Sequence, residues 1–447
     1  MNIVIAGAGK VGYFLAKELM EENEVTLIDR NEKTIQNIDE TLDVLSVHGD
    51  VEDPYTYRNI KSDIDLFISV TDSDEVNLLS SLIIDNIVNV KEKIVRLKND
   101  FFMSDKIKNR LNIANIITPA IDVAKTFNYL IDFPHANNIK TFDHTRALLL
   151  SIRIYENFEP MLISTFKKEL KDKVIVAGIE KEERFFIPNE SDMLMPNDLV
   201  YFFTFPSQMN DIRVIISNKW NKQDIKNCII YGANQLGIEI AKVLAKKSLN
   251  IKLIDKTLKD CKYANTILKN SVEVIKSNYN LDFLLENHAQ DTNIFIAATS
   301  NDEFNITKCI EANQKGIEKV IGIHNNRQYA SLMRKLGIEV IRGEKMNAYY
   351  NILEKISSSQ MVSQRIFCGG EGRVYLKKIL LNSKLIGNKL DICNKIYEKG
   401  NFLVERKKKF LQYKSIEAFE EGDLIICFSL SMDAKIIANW FKQNINE

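Results

Sequence analysis

Over the first 133 positions of the chain, short apolar runs alternate with stretches whose apolar residues recur every three or four positions. The runs predict strands at 2–6, 24–28, 43–47, 66–70, 94–97 and 115–118. The periodic stretches predict helices at 11–22, 31–40, 53–61, 74–87, 103–110 and 122–132. Such βαβ alternation implies a parallel, doubly wound sheet with helices on both faces. Around Pro134-His135-Ala136-Asn137-Asn138 the chain turns polar, which reads as a linker. From there to Ser217 the pattern changes. Short β-like runs (Val174 to Ile179, Arg184 to Ile187, Leu199 to Phe205) are separated by turn signals such as Pro196-Asn197-Asp198, the pattern of a small α+β module.

The pattern then starts again. Cys228-Ile229-Ile230-Tyr231-Gly232-Ala233-Asn234-Gln235-Leu236-Gly237 repeats the opening strand, turn and helix at an offset of 232 − 7 = 225 residues. Asp29 recurs as Asp255, and the run Thr71-Asp72-Ser73-Asp74-Glu75-Val76-Asn77 recurs as Thr299-Ser300-Asn301-Asp302-Glu303-Phe304-Asn305. Asn197-Asp198 before an apolar run recurs as Gly422-Asp423. An internal duplication of this length predicts four modules, at 1–133, 138–217, 225–350 and 366–447. The fold class is α/β: two Rossmann-like, doubly wound parallel-sheet modules, each followed by a small α+β module.

The candidate chemistry lies in the first turn. Gly7-Ala8-Gly9-Lys10-Val11-Gly12 follows a buried strand and opens a helix carrying Val11, Phe14, Leu15 and Leu19 on one side. Gly7 permits the tight turn, Gly9 lets the backbone approach a pyrophosphate, and Gly12 lets the helix pack closely on the strand. The helix points its N-terminal amides and positive dipole end at the anion. Asp29, ending the second strand, stands where a carboxylate accepts hydrogen bonds from an adenosine ribose. It favours NAD(H) or an adenine nucleotide over NADP. Gly49-Asp50, Thr71-Asp72 and Arg96 end further strands, at the edge where such sheets bind ligands. A guanidinium at Arg96 needs an anion, either a phosphate or a carboxylate such as Asp72.

The second half departs from the first. Asn234 replaces the middle glycine, Ser277-Asn278 replaces Gly49-Asp50, and His324 stands in the place of Arg96, while Asp255 is kept. That pocket retains a ribose acceptor but loses one phosphate-approach glycine and one permanent cation. It reads as a weakened nucleotide site or as scaffold.

Composition removes several classes of function. Sixty basic and sixty acidic residues leave no formal net charge, so nothing favours a nucleic-acid partner. No run approaches the ~18 apolar residues of a membrane span, and Lys10 interrupts any signal-like apolar core. Cys228, Cys261, Cys309, Cys368, Cys393 and Cys427 are scattered singly, as expected of reduced thiols in the cytoplasm, with no metal site. His48, His135, His144, His288 and His324 form no set, and the small modules carry no paired carboxylates or GxSxG. A dehydrogenase would need a proton donor and a substrate pocket. An NAD-dependent oxidoreductase is therefore the alternative, and a non-catalytic ligand sensor the main reading.

The duplicated order of modules, the opening Gly-Ala-Gly-Lys-Val-Gly, Asp29, the run Val70 to Asn77 and the run Ile94 to Asp100 together resemble the TrkA family. These are peripheral regulatory subunits of Trk potassium uptake systems, built from TrkA-N and TrkA-C modules (RCK-type). The resemblance covers essentially the whole chain. It implies a non-enzymatic cytoplasmic subunit, peripheral on the inner face of the cell membrane, that binds NAD(H) and ATP or ADP. Such a subunit assembles as a homo-oligomer, a dimer or a tetrameric ring, and gates an integral-membrane potassium transporter (TrkH/TrkG-like). The cofactor residues it implies are Gly7, Ala8, Gly9, Lys10, Val11, Gly12, Asp29, Thr71, Asp72 and Arg96. In the second half they are Gly232, Ala233, Asn234, Gln235, Leu236 and Asp255, with Asn234 and His324 departing from the pattern.

Overall fold

The computed structural model of the chain describes all residues except 59, 61, 62, 134, 135, 143, 144, 183, 217–225, 279–291, 358–362, 381, 382, 391, 393, 446 and 447. His135, His144, His288 and Cys393 lie outside the described residues. The other five cysteines are buried free thiols.

Strands β1 (Asn2–Ala6), β2 (Glu24–Asp29), β3 (Leu45–His48), β4 (Asp63–Ser69), β5 (Asn89–Arg96) and β6 (Asn115–Ile117) form one six-stranded sheet in the order β3-β2-β1-β4-β5-β6. Its pairs are parallel, with Ile3 opposite both Val25 and Leu66. β1 sits at the centre and is apolar because helices cover both its faces. The helix Lys10–Leu19 buries Val11, Leu15 and Leu19 against it. β5 starts five residues before its predicted position. The early polar residues hid it, yet Lys93 is buried and donates to the Ser81 carbonyl (3.0 Å) and to Asp85. The helix expected at 53–61 is only a 3₁₀ turn, Pro54–Tyr57. Asp53 caps Tyr55 N–H at 2.9 Å, and the buried Tyr57 hydroxyl bonds the Val51 carbonyl at 2.7 Å.

The first small module contains β7 (Ala136–Lys140), β8 (Leu148–Arg153), β9 (Met161–Leu162), β10 (Val174–Lys181), β11 (Arg184–Phe186), β12 (Met193–Leu194) and β13 (Leu199–Thr204). Five of these make an antiparallel sheet in the order β11-β10-β13-β8-β7, and β9 pairs with β12. The expected linker at 134–138 is therefore corrected. From Ala136 on it is an edge strand, in which Asn137 and Asn138 are half-buried.

The second half repeats the first. β14 (Asn227–Tyr231), β15 (Asn250–Asp255), β16 (Glu273–Lys276), β17 (Ile294–Ala297), β18 (Lys319–His324) and β19 (Glu339–Arg342) stand in the order β16-β15-β14-β17-β18-β19. β20 (Ser363–Phe367), β21 (Gly372–Lys378), β22 (Gly400–Arg406), β23 (Lys409–Gln412) and β24 (Leu424–Leu430) stand in the order β20-β21-β24-β22-β23. Both orders match those of the first half.

The chain divides into two compact units. One contains Met1–Lys125, Cys228–Ala330 and Ile341–Leu353, and so joins the two parallel sheets. Within it Phe14 meets Tyr349 edge-on at 6.1 Å, and the Gln235 amide reaches the Lys98 carbonyl at 3.4 Å. The other contains Thr126–Asn227, Ser331–Val340 and Glu354–Glu447. Its two antiparallel sheets share one apolar core, in which Phe203 lies 5.3 Å from Phe410 and 5.5 Å from Phe428. A carboxylate from each sheet crosses to the other module: Glu180 accepts from Cys368 Sγ (3.2 Å), and Glu405 accepts from Thr145 Oγ1 (2.5 Å).

Candidate functional site

At the carboxyl end of β1, Gly7 has φ +102°, and a Cβ there would meet Thr71 N at 3.0 Å. Only glycine takes this turn without strain. Gly12 is constrained by space: its Cβ would fall 1.9 Å from the Gly7 carbonyl oxygen. Gly9 is different. It has an ordinary φ of −64°, makes no side-chain cap, and a Cβ there would meet nothing within 4 Å. The helix Lys10–Leu19 therefore opens with uncapped amides facing a cavity of about 430 Å³.

Asp29, at the end of β2, is half-buried on the wall of this cavity. Its Oδ2 accepts from Ala8 N–H (2.7 Å) and its Oδ1 from Asn31 N–H (2.8 Å), which fixes the glycine loop. Arg96 ends β5 with only 4% of its surface exposed. Its Nη1 lies 3.4 Å from Asp72 Oδ1 and its Nη2 3.9 Å from Glu344 Oε2. Its Nε is shielded and has no partner. A buried charged donor left without an acceptor is costly, while the terminal nitrogens of the same guanidinium stand beside the carboxylates of Asp72 and Glu344.

Of the residues expected in the first half, Gly7, Gly9, Lys10, Val11, Asp29, Thr71, Asp72 and Arg96 line the cavity together with Asp50. Ala8 and Gly12 stand behind it, one feeding Asp29 and the other packing the helix.

In the second half, Gly232 repeats the turn at φ +112°, and Gly237 repeats the constraint of space, since a Cβ there would fall 1.8 Å from the Gly232 carbonyl oxygen. Asn234, however, folds over its helix. Its Oδ1 accepts from Gly237 N–H (2.9 Å) and its Nδ2 donates to the Ala298 carbonyl (2.7 Å). The N-terminus that is open in the first half is capped here by a side chain. Asp255 binds Ala233 N–H (2.9 Å) and Thr257 N–H (2.8 Å) but is 93% buried, with 7% exposed. A second cavity, of about 600 Å³, is lined by Asn234, Gln235 and Leu236; Gly232, Ala233 and Asp255 are not on its wall. The expected place of His324 is corrected: by strand register Ile323, which lines this cavity, is the counterpart of Arg96, while His324 is buried with Nδ1 2.8 Å from the Asn326 carbonyl and does not line it.

Two lining residues, Glu344 and Lys345, gave no local signal. Lys10, Asp72, Arg96 and Lys345 line both cavities, and Lys98 and Glu344 line the second. Lys345 and Glu344 open a helix far along the chain, so only the packing of the two sheets reveals them. Asn77 was legible in part, within the repeated run. Its Oδ1 accepts from Thr71 N–H (2.9 Å), and its Nδ2 donates to the Arg96 carbonyl (2.8 Å), tying two cavity edges together. Asn305 does the same between Thr299 and Ile323.

The comparisons with known proteins follow this geometry. The chain is 24% identical over 456 aligned residues to the Trk system potassium uptake protein TrkA homolog 1 of Methanosarcina mazei, covering 99% of this chain and 100% of that protein. Among solved structures, the GsuK channel bound to NAD aligns with 99% of this chain and 78% of its own, at TM-score 0.64 and 15% identity. GsuK bound to ADP aligns with 79% of this chain and 68% of its own, at TM-score 0.50 and 12% identity. The TrkA-N domain model matches residues 3–119 and again residues 228–342. With two copies over more than half its length, the chain belongs to the TrkA-N family.

Proposed function

We propose that this protein is a regulatory subunit of a potassium uptake system, and that NAD(H) or an adenine nucleotide in the first cavity is its signal. The observation that carries the reading is the pairing of an uncapped helix N-terminus at Gly9 with the buried Arg96, whose Nε has no partner. Pyrophosphate at that terminus would take the open amides and pair with the guanidinium's charge, and Asp29 would turn from the Ala8 and Asn31 amides toward a ribose hydroxyl. Relatives named for Trk potassium uptake, and solved neighbours named for NAD and ADP, support this reading.

The subunit acts without turnover. Asp29, Arg96 and the glycine loop bind, and nothing on the first cavity's wall pairs a proton donor with a substrate pocket. Among the described residues no helix is long and apolar enough to cross a membrane, and the partner in this reading is a TrkH/TrkG-like transporter. The subunit would sit on its cytoplasmic face as a homo-oligomer. Gating follows if the nucleotide binds one arrangement of the parallel-sheet modules more tightly than another, because only differential affinity shifts a population.

The test is calorimetric titration with NADH, NAD, ATP, ADP and NADPH, repeated on Asp29→Ala and Gly9→Val. Tight binding of NADH or ADP, weak binding of NADPH, and at least a tenfold loss in both variants is the expected result. Potassium flux through the co-reconstituted transporter should then respond to the same nucleotides. Flux indifferent to every nucleotide would reject the sensor reading, and steady NADH oxidation with a small substrate would favour the oxidoreductase.

A further inference from the structure

One side chain behind the first cavity holds its edges together without reaching the space inside. Asn77, in the helix Asp74–Asp85, is 1% exposed and is not on the cavity wall. Its Nδ2 donates to the Arg96 carbonyl (2.8 Å) and to the Thr71 carbonyl (3.1 Å). Its Oδ1 accepts from Thr71 N–H (2.9 Å), Thr71 Oγ1 (2.6 Å) and Ser69 Oγ (2.9 Å). Both amide hydrogens and the carbonyl oxygen of one planar group are thus committed. Thr71 N is also the atom that a Cβ on Gly7 would meet at 3.0 Å, so the segment held by Asn77 lies against the glycine turn itself. A buried network satisfied in this way permits a single arrangement of the chain ends that it joins.

The duplication separates what this asparagine does for the fold from what it does for the cavity. Asn305 makes the same set of bonds in the second half. Its Oδ1 accepts from Thr299 N–H (3.1 Å) and Thr299 Oγ1 (2.6 Å), and its Nδ2 donates to the carbonyls of Thr299 and Ile323 (both 2.9 Å). The strand end it holds carries isoleucine, and the neighbouring helix terminus is capped by Asn234. In the first half the held strand end carries the Arg96 guanidinium, and the helix terminus is open. The first half also adds hydroxyls to the network. Ser69 and Ser80 are fully buried, 3.0 Å apart, where the second half has Ala297 and Lys308.

We infer that Asn77 is a positioning residue for the ligand of the first cavity. By fixing the Arg96 backbone and the Thr71 segment against the glycine turn, it aims the guanidinium and the Thr71–Asp72 edge at one ligand position beside the open helix terminus. The inference deepens the nucleotide reading and rests on it for the identity of the ligand.

The experiment is calorimetric titration of the full chain with ADP, paired with thermal melts, on the parent, Asn77→Ala, Asn305→Ala, Arg96→Ala and the Asn77→Ala/Arg96→Ala double variant. Asn77→Ala and Asn305→Ala should both melt below the parent, because each cuts the same bonds between strand ends. Only Asn77→Ala should weaken ADP, by about tenfold or more, while Asn305→Ala binds as the parent does. The loss in the double variant should fall short of the product of the two single losses, because Asn77 acts through Arg96. Asn77→Asp, which keeps the outline and the acceptor oxygen but withdraws both donated bonds, replaces the alanine variant if the melt shows that variant unfolded. A folded Asn77 variant with the parent's affinity, an equal loss in Asn305→Ala, or single losses that simply multiply would overturn the inference while leaving the nucleotide reading intact. A parent that binds no ADP rejects the nucleotide reading and the inference with it.

Discussion

Gly9 and Gly12 lie three residues apart in the same loop and answer to different demands. Gly12 carries the backbone contact between helix and turn, where a methyl group would fall 1.9 Å from a carbonyl oxygen. Gly12→Ala is expected to cost about 2–3 kcal/mol of stability, read by denaturant unfolding. Gly9 borders only the cavity, so Gly9→Ala should unfold at the parent's denaturant concentration and yet bind nucleotide more weakly. Equal loss of stability in the two variants would contradict this division. Glu405 offers a pH test at the same scale. Burial raises its carboxyl above the ordinary range, and the Thr145 hydroxyl only partly offsets that. The folded state therefore holds the proton more tightly than the unfolded chain, and the ionised form is a liability at neutral pH that fades as pH falls through the raised value. Glu405→Gln should melt above the parent at pH 7 and converge with it in mild acid.

At the scale of elements, the two phosphate-loop helices differ in how their first turns are satisfied. The helix Gln235–Ala245 is capped by Asn234, and Asn234→Ala should cost about 1 kcal/mol in thermal or denaturant melts. The helix Lys10–Leu19 has no such side chain to lose. This difference was legible in the sequence, since glycine against asparagine at one loop position already states it. So were the strands around β1 and the whole second copy, because apolar runs and repeated loops are local signals. Three features were hidden by burying or exposing polar residues against expectation. Lys93 disguised the start of β5, Asn137 and Asn138 disguised β7 as a linker, and Pro54–Tyr57 is a turn that mimics helical spacing. The place of Glu344 on the second cavity's wall was out of reach, because it depends on which surfaces of two distant segments meet.

Across the whole molecule, the duplicated halves do not fold side by side as separate pairs of modules. Parallel sheet joins parallel sheet in one unit, and antiparallel sheet joins antiparallel sheet in the other. Phe203, fully buried from one half, touches Phe410 and Phe428 of the other, so each half leaves an apolar sheet face that its twin must cover. Residues 1–216 and 226–447 expressed together as separate chains should copurify in equal amounts, as shown by size and mass. Independent monomers would refute this shared core. Two identical subunits built this way would be bound to mirror one another, because every substitution would strike both copies of a pocket at once. Joining the copies in one polypeptide removes that bond. It permits a receptor half and a non-receptor half at a fixed ratio of one to one, and the Gly9 and Asn234 loops have already taken those separate paths.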